Sequence, residues 1–141
     1  MLSGLVALLA SGIVTMPSTA TGDVLKPPVI HEVFTQLPCP AHPVSTLAEE
    51  GCYEKTIVRI DRKIDAEAKA IFGLLRTHAG RLAFVHGERS WLRYRQFSCA
   101  AEASKYTGGS AAPLVGATCS IARSKAHLRE LIPIKMFLSF H

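Results

Sequence analysis

The sequence predicts an all-α protein, a three-helix bundle that contains a helical hairpin and is stapled by two disulfide bonds. Long stretches place apolar residues at steps of three and four, which is the spacing of one buried helix face. Four cysteines in 141 residues indicate covalent cross-links. Strands have little support, because no sustained alternation of apolar and polar residues is bounded by turn signals. A hydrophobic content of 48% with 19% charged residues is typical of a globular chain.

The N-terminal region has the pattern of an export signal followed by an extended leader. Residues 2–16 are apolar but too few for a comfortable membrane span, and Ser18-Thr19-Ala20 supplies the small residues of a signal-peptidase site. We therefore predict a signal peptide over residues 1–20 and a secreted or periplasmic protein. No cysteine directly follows the apolar run, so no lipid anchor is expected. Residues 21–46 hold five prolines and predict an extended leader without a stable helix.

The first predicted helix covers about residues 52–76, and Ser45 or Thr46 can cap a short turn before it. Its apolar positions form one stripe: Ile57, Ile60, Ile64, Ala68, Ile71, Phe72 and Leu75. The charged positions, including Asp61 and Asp65, are predicted to form a solvated face.

The second predicted helix covers about residues 82–104. Its residues available for packing are Leu82, Val85, Leu92, Phe97, Cys99 and Ala103. Gly108 can adopt the left-handed conformation that ends a helix, and Ser110 can cap the next one.

The third predicted helix covers about residues 111–131. Pro113 falls in its first turn, where the missing N–H is harmless, and Pro133 is predicted to terminate it. The helical domain therefore spans residues 47–133, and residues 134–141 form a short apolar tail.

The cysteines stand at two spacings, Cys39-x12-Cys52 and Cys99-x19-Cys119. Four cysteines allow three pairings. We favour the two local pairs, because each then joins neighbouring elements and would stabilise the fold by about 3 kcal/mol. A zinc site is disfavoured, since there is no Cys-x2-Cys pair and the six histidines lack ligand spacing. No metal or other cofactor is expected.

The cysteine-containing half carries a specific order of residues. It reads Arg89-x-Trp91-x3-Arg95-x3-Cys99, then Tyr106-x-Gly108-Gly109-Ser110-x2-Pro113-Leu114-x4-Cys119, then Glu130-Leu131. With the preceding amphipathic helix, this order resembles the LprI-type lysozyme inhibitor family over roughly residues 47–131. The resemblance implies a small, helical, exported protein, and one branch of the family is described as inhibiting lysozyme. The chain departs from the family pattern at Ala68, where a tyrosine is usual, and at Arg123, where an apolar residue is usual.

The glycine-containing turn is the first candidate contact surface. Its predicted partner-binding residues are Lys105, Tyr106, Gly108, Gly109 and Ser110. Two glycines beside a helix N-terminus can expose backbone N–H groups to an anion, and a lysozyme cleft presents paired carboxylates. The alternative interpretation, which we favour from the residues alone, is that the glycines only stop one helix and start another.

A second candidate surface is Trp91 with Arg95 and Tyr94, because these residues share one side of the second helix and because aromatic and arginine residues often anchor interfaces. The alternative, again the favoured one, is a packing role for Trp91 and a local pairing role for Arg95.

Charge and motifs narrow the classes of function. The formal net charge is +5 and the pI about 9.2, which favours acidic partners. Catalytic signatures such as Gly-x-Ser-x-Gly or His-Glu-x2-His are absent, so the chain is not predicted to be an enzyme. The leading hypothesis is an exported binding protein of the lysozyme-inhibitor type, with a host or bacterial lysozyme as partner. The alternative is an envelope-associated module that binds anionic lipid or cell-wall polymer, and no nucleic-acid partner is expected.

Overall fold

The structure is a computed structural model that describes residues 24–140, so the predicted signal peptide over residues 1–20 lies outside the described residues. Three helices follow in order, namely α1 (Thr46–Leu74), α2 (His78–Ser104) and α3 (Ala111–Ser139), and no strand occurs between residues 24 and 140. The helix α3 packs against both α1 and α2, and α2 and α3 form an antiparallel hairpin. The predicted three-helix bundle is confirmed.

The first helix begins six residues earlier than predicted, because Ser45 caps it. The Ser45 hydroxyl accepts a hydrogen bond from the Ala48 N–H at 3.2 Å, which satisfies one of the unpaired donors at the helix start. The predicted apolar stripe is buried along its length, with Leu75 half-buried just after the helix end. The prediction that Asp61 lies on a solvated face was wrong, because only 4% of this residue is exposed.

The second helix begins at His78, four residues before the predicted start, because the Thr77 hydroxyl accepts from the Gly80 N–H at 3.0 Å. Val85 and Cys99 are buried as predicted, but Phe97 is 73% exposed. Residues two apart do not share a helix face, so a helix that buries Cys99 turns Phe97 outward.

The third helix passes through Pro133 and ends at Ser139, so the prediction that Pro133 terminates it was wrong. A proline inside a helix removes one hydrogen bond and costs about 3 kcal/mol. Apolar packing on both sides of the proline offsets this cost, because Leu131 is buried in the core and Leu138 packs against the same cluster. Most of the predicted apolar tail is therefore the last two turns of α3.

Both disulfide bonds form the predicted local pairs. Cys39–Cys52 joins the leader to the first turns of α1, with Cα atoms 4.6 Å apart. Cys99–Cys119 joins α2 to α3 near their connecting turn, with Cα atoms 5.5 Å apart. The hairpin is thus closed covalently close to its turn.

The leader, predicted over residues 21–46, is described from residue 24 and ends at Ser45, because Thr46 begins α1. It is extended and runs antiparallel to α1. The Ile30 N–H donates to Asp65 at 2.9 Å, and the Leu37 N–H donates to the buried Glu54 at 2.6 Å. Ile30 also packs against the central cluster of the bundle: Ile60, Ile64, Ile71 and Leu131. The leader is therefore part of the fold and covers one side of the bundle.

Within residues 24–140, none of the helices is long and apolar enough to cross a membrane.

Candidate functional site

The turn between α2 and α3, residues 105–110, is exposed at one end of the bundle. Lys105 ends α2, and the Tyr106 N–H donates back to the Ala103 carbonyl at 2.9 Å. Gly108 has a φ of +84°, the left-handed conformation in which glycine alone carries no steric penalty. The turn therefore brings all five predicted contact residues into one exposed segment.

The backbone donors of this turn are partly occupied. The Gly109 N–H donates to the Tyr106 carbonyl at 3.0 Å, and the Ala112 N–H donates to the Gly109 carbonyl at 3.4 Å. Ser110 has helical dihedral angles, and its hydroxyl makes no capping bond, so the prediction that Ser110 caps α3 was wrong. The helix starts without a side-chain cap because a tight turn leads directly into it. The Gly109 and Ala112 donors are therefore not available to an anion, and the exposed polar side chains of the turn include those of Lys105, Tyr106 and Ser110.

Arg95 lies inside the bundle, about 15 Å along α2 from Lys105. Its guanidinium donates to Asp61 of α1 at 2.8 Å and to the Ser124 hydroxyl of α3 at 2.7 Å. A further ion pair joins Arg95 to Glu32 of the leader. Arg95 is only 2% exposed, so the structure places it away from the surface formed by the turn.

Trp91 belongs to the same interior. Its ring stacks on His127 of α3, with ring centroids 3.9 Å apart and planes 12° from parallel. The Arg95 guanidinium lies over the indole at 5.2 Å, and the His127 Nε2 is 2.9 Å from the Glu88 carboxylate. Trp91 thus links the buried polar groups of α2 and α3, and it does not share a surface with the turn.

The electrostatics of this interior centre on Asp61. Burial and a hydrogen bond with Glu32 raise the pKa of Asp61 from 3.8 to about 7, although the Arg95 guanidinium acts in the opposite direction. Two carboxylates compete for one guanidinium and Asp61 is almost fully buried, so the protonated form of this carboxyl is favoured. One Asp61 oxygen has no hydrogen-bond partner among the described residues. A proton on this carboxyl brings the cluster of Arg95, Asp61 and Glu32 to neutrality.

Sequence reasoning missed three members of this cluster: Glu32, Asp61 and Ser124. For Asp61 the signal was present, since the residue lies four positions after Ile57 and three before Ile64, within the apolar stripe. Polar residues at such positions are buried and need partners. Glu32 carries no comparable signal, because it lies in an extended segment without periodicity.

The exposed side of α2 carries aromatic side chains. Tyr94 is 53% exposed and lies under the Arg123 guanidinium at 5.5 Å. Arg123 also pairs with Glu102 at 3.2 Å. Tyr94 therefore shares a helix with Arg95 and Trp91 but points to solvent.

The described residues offer no arrangement for metal or thiol chemistry. Between residues 24 and 140, no group of three or more His, Cys, Asp or Glu side chains is placed to hold a metal ion. All four cysteines are in disulfide bonds, so none is a thiolate nucleophile or ligand. The surface described so far consists of an exposed turn beside a disulfide bond and a face of α2 that carries exposed aromatic side chains.

Comparison with known proteins assigns the family. Residues 39–131 match the family described as "Lysozyme inhibitor LprI", and this match includes both disulfide bonds, the buried Arg95 and the whole α2–α3 turn. No curated protein and no solved structure gives a significant match to the chain. The disulfide bonds and the inhibitor family together indicate an exported protein. The matched region covers well over half of the chain, which therefore belongs to the LprI lysozyme inhibitor family.

Proposed function

We propose that the protein is a secreted or periplasmic, non-catalytic inhibitor of lysozyme that contacts the enzyme through the α2–α3 turn. The observation that carries this proposal is that a member of an inhibitor family exposes a turn with an ammonium group and an aromatic ring, and that the Cys99–Cys119 disulfide bond restrains the helices on both sides of this turn. Export would follow from the predicted signal peptide over residues 1–20.

The rigidity of the turn supports a binding role. The Cys99–Cys119 bond fixes the two helices on either side of the turn, and Gly108 closes it in a conformation that other residues disfavour. A preorganised loop loses little conformational entropy on binding, so more of its contact energy appears as affinity.

The side chains of the turn fit a carboxylate-lined cleft. Lys105 offers an ammonium group, and Tyr106, 48% exposed, offers a flat apolar ring with a hydroxyl donor. Lysozymes carry two catalytic carboxylates in a groove. A protein that occupies such a groove blocks access of the substrate and needs no chemical step. This mode of inhibition requires no free thiol, and all four cysteines of this chain are in disulfide bonds.

Long-range attraction contributes little to this mode of binding. The chain has a net charge of +5, and many lysozymes are also basic, so short contacts at the turn must supply the affinity. Inhibition should therefore depend only weakly on salt concentration.

The test is a cell-wall lysis assay with the purified protein and two matched tyrosine variants. Tyr106→Ala removes the aromatic group of the turn, whereas Tyr94→Ala removes one of similar exposure from the side of α2. We expect Tyr106→Ala to weaken inhibition about tenfold or more, as for a central interface aromatic, and Tyr94→Ala to have little effect. Circular dichroism verifies that both variants are folded.

Absence of inhibition by the unmodified protein at tens of micromolar would overturn the proposed function. Loss of inhibition in Tyr94→Ala but not in Tyr106→Ala would keep the function and move the contact surface to the side of α2.

A further inference from the structure

The end of the bundle opposite the α2–α3 turn is apolar and exposed. The C-terminus of α1, the N-terminus of α2 and the C-terminus of α3 meet there. The pairs Asp61–Ser124 and Glu67–Lys135 show that α1 and α3 are parallel, and the pairs Glu88–His127 and Cys99–Cys119 show that α2 is antiparallel to α3. We call this end the apolar tip and define it by five exposed side chains, of which the first four belong to α3 and the last directly follows it: Ile132, Ile134, Met136, Phe137 and Phe140.

An open cleft adjoins these side chains. Its volume is about 460 Å³, and it is bounded by Leu75 of α1, Phe84 of α2, and Ile134 and Phe137 of α3. At the tip itself Phe137 is 63% exposed and Phe140 is 80% exposed. A cluster of large apolar side chains in water is unfavourable, and such clusters mark interaction surfaces.

The segments that meet at the tip contain more cationic than acidic residues. Residues 67–82 and 131–140 contain four Lys or Arg residues and one acidic residue, Glu67. Within this group Arg76 is exposed, Arg81 donates to the Leu75 carbonyl at 2.8 Å, and Lys135 pairs with Glu67 of α1. The segments at this end therefore carry a net positive charge, and we call Lys69, Arg76, Arg81 and Lys135 the cationic collar.

This combination identifies the kind of partner. Large apolar side chains flanked by cations are the pattern of proteins that lie on anionic membrane surfaces. A symmetric contact with a second copy would place the two cationic collars against each other, which is unfavourable. An anionic bilayer complements both the apolar residues and the collar.

We propose that the apolar tip docks onto the surface of an anionic phospholipid bilayer, with Phe137 and Phe140 entering the interfacial region and the cationic collar contacting headgroups. In this orientation α2 points away from the membrane surface. Its 27 residues place the α2–α3 turn about 40 Å from that surface. The contact surface of the proposed inhibitor then faces outward. The docking proposal itself does not depend on lysozyme inhibition.

The test measures binding of the full chain to sedimented vesicles. One set contains equal parts of phosphatidylglycerol and phosphatidylcholine, and the other contains phosphatidylcholine alone. We expect binding to the anionic vesicles, and we expect it to weaken as salt shortens the screening length from about 10 Å at 0.1 M to about 3 Å at 1 M.

Matched variants locate the contact. Phe137→Ser with Phe140→Ser should reduce the partition coefficient at least tenfold, whereas Phe97→Ser, which removes an equally exposed ring from the side of α2, should leave it unchanged. As a second readout that keeps an aromatic ring at the tip, Phe140→Trp should show a blue shift of its added tryptophan emission on anionic vesicles.

Three vesicle-binding results would overturn the proposal. They are no binding to anionic vesicles, equal binding to both vesicle types, and equal loss of binding in Phe97→Ser. Sedimentation showing a dimer that the Phe137→Ser and Phe140→Ser changes dissociate would assign the tip to a second copy instead.

Discussion

Arg95 is the residue at which three distant segments of the chain converge. Its guanidinium contacts Asp61 of α1, Ser124 of α3 and Glu32 of the leader. Two carboxylates share this single buried cation, so the cluster binds a proton more readily than isolated carboxylates do. Burial also raises the pKa of Asp65, which accepts from the leader at Ile30.

The cluster predicts that stability falls as the pH rises. The pKa of Asp61 is 3.8 when unfolded and about 7 when folded, so between these values the folded protein holds a proton that the unfolded chain has released. This contribution to the free energy of unfolding is complete below about pH 4 and is lost as the pH passes about 7. Asp65 acts in the same direction. Thermal unfolding should give a higher Tm at about pH 5 than at about pH 8.

Asp61→Asn is the matched variant for this prediction. Asparagine keeps a hydrogen-bonding oxygen next to Arg95 but cannot titrate, so the Tm difference between the two pH values should become smaller. A variant that retains the full pH dependence would show that the dependence comes from other groups.

At the scale of elements, the leader behaves as a fourth packing element although it has no regular secondary structure. It is held to α1 by two hydrogen bonds and the Cys39–Cys52 disulfide, and to α2 by the pair of Glu32 with Arg95. Gly51 of α1 is buried where the leader crosses, and a Cβ at this position would collide with the Pro38 carbonyl oxygen. The close approach of leader and helix requires a glycine there.

Two identical substitutions should therefore change stability in opposite directions. Gly51→Ala forces the leader away from α1 and should lower the free energy of unfolding by about 1–3 kcal/mol. Gly87→Ala adds a methyl group in open space within α2 and should raise the same free energy by about 1 kcal/mol, through helix propensity. Urea denaturation of both variants measures the difference. If Gly51→Ala were as stable as the unmodified protein, the leader would not lie against α1 in solution.

At the scale of the whole molecule, the bundle has two unlike ends. The α2–α3 turn is polar and covalently restrained, whereas the opposite end carries exposed aromatic residues surrounded by cations. The two disulfide bonds also differ in what they restrain. Cys99–Cys119 holds the hairpin beside the turn, and Cys39–Cys52 holds the leader.

Removing each disulfide separately should distinguish stability from inhibition. Replacing either pair with serines should lower the free energy of unfolding by about 3 kcal/mol, because the closed loops are of similar length. Only the Cys99→Ser and Cys119→Ser protein should also inhibit lysozyme more weakly, since only that bond restrains the proposed contact surface. Denaturation and lysis assays on both double variants provide the comparison. Equal inhibition by the two proteins would contradict a role for turn rigidity.

The local spacing of residues along the chain was sufficient to predict the three helices, the turn between α2 and α3, and the pairing of the cysteines. The buried stripe of α1 follows from apolar residues three and four apart, and this spacing is set by helix geometry alone. The same reasoning did not extend α3 through Pro133, because the packing of Leu138 that offsets the proline is a tertiary contact. Reasoning from spacing also placed Asp61 on the solvated face of α1, although the position of Asp61 within the apolar stripe indicated burial.

Contacts between residues far apart in the sequence determined the features of the structure that local spacing did not predict. Glu32 meets Arg95 across 63 positions, and the Ser124 hydroxyl meets Asp61 across another 63. Helical periodicity states which face of an element is buried, but it does not state which other element covers that face. The course of the leader, the buried cluster around Arg95 and the gathering of apolar side chains at one end of the bundle were therefore visible only once the helices were packed together.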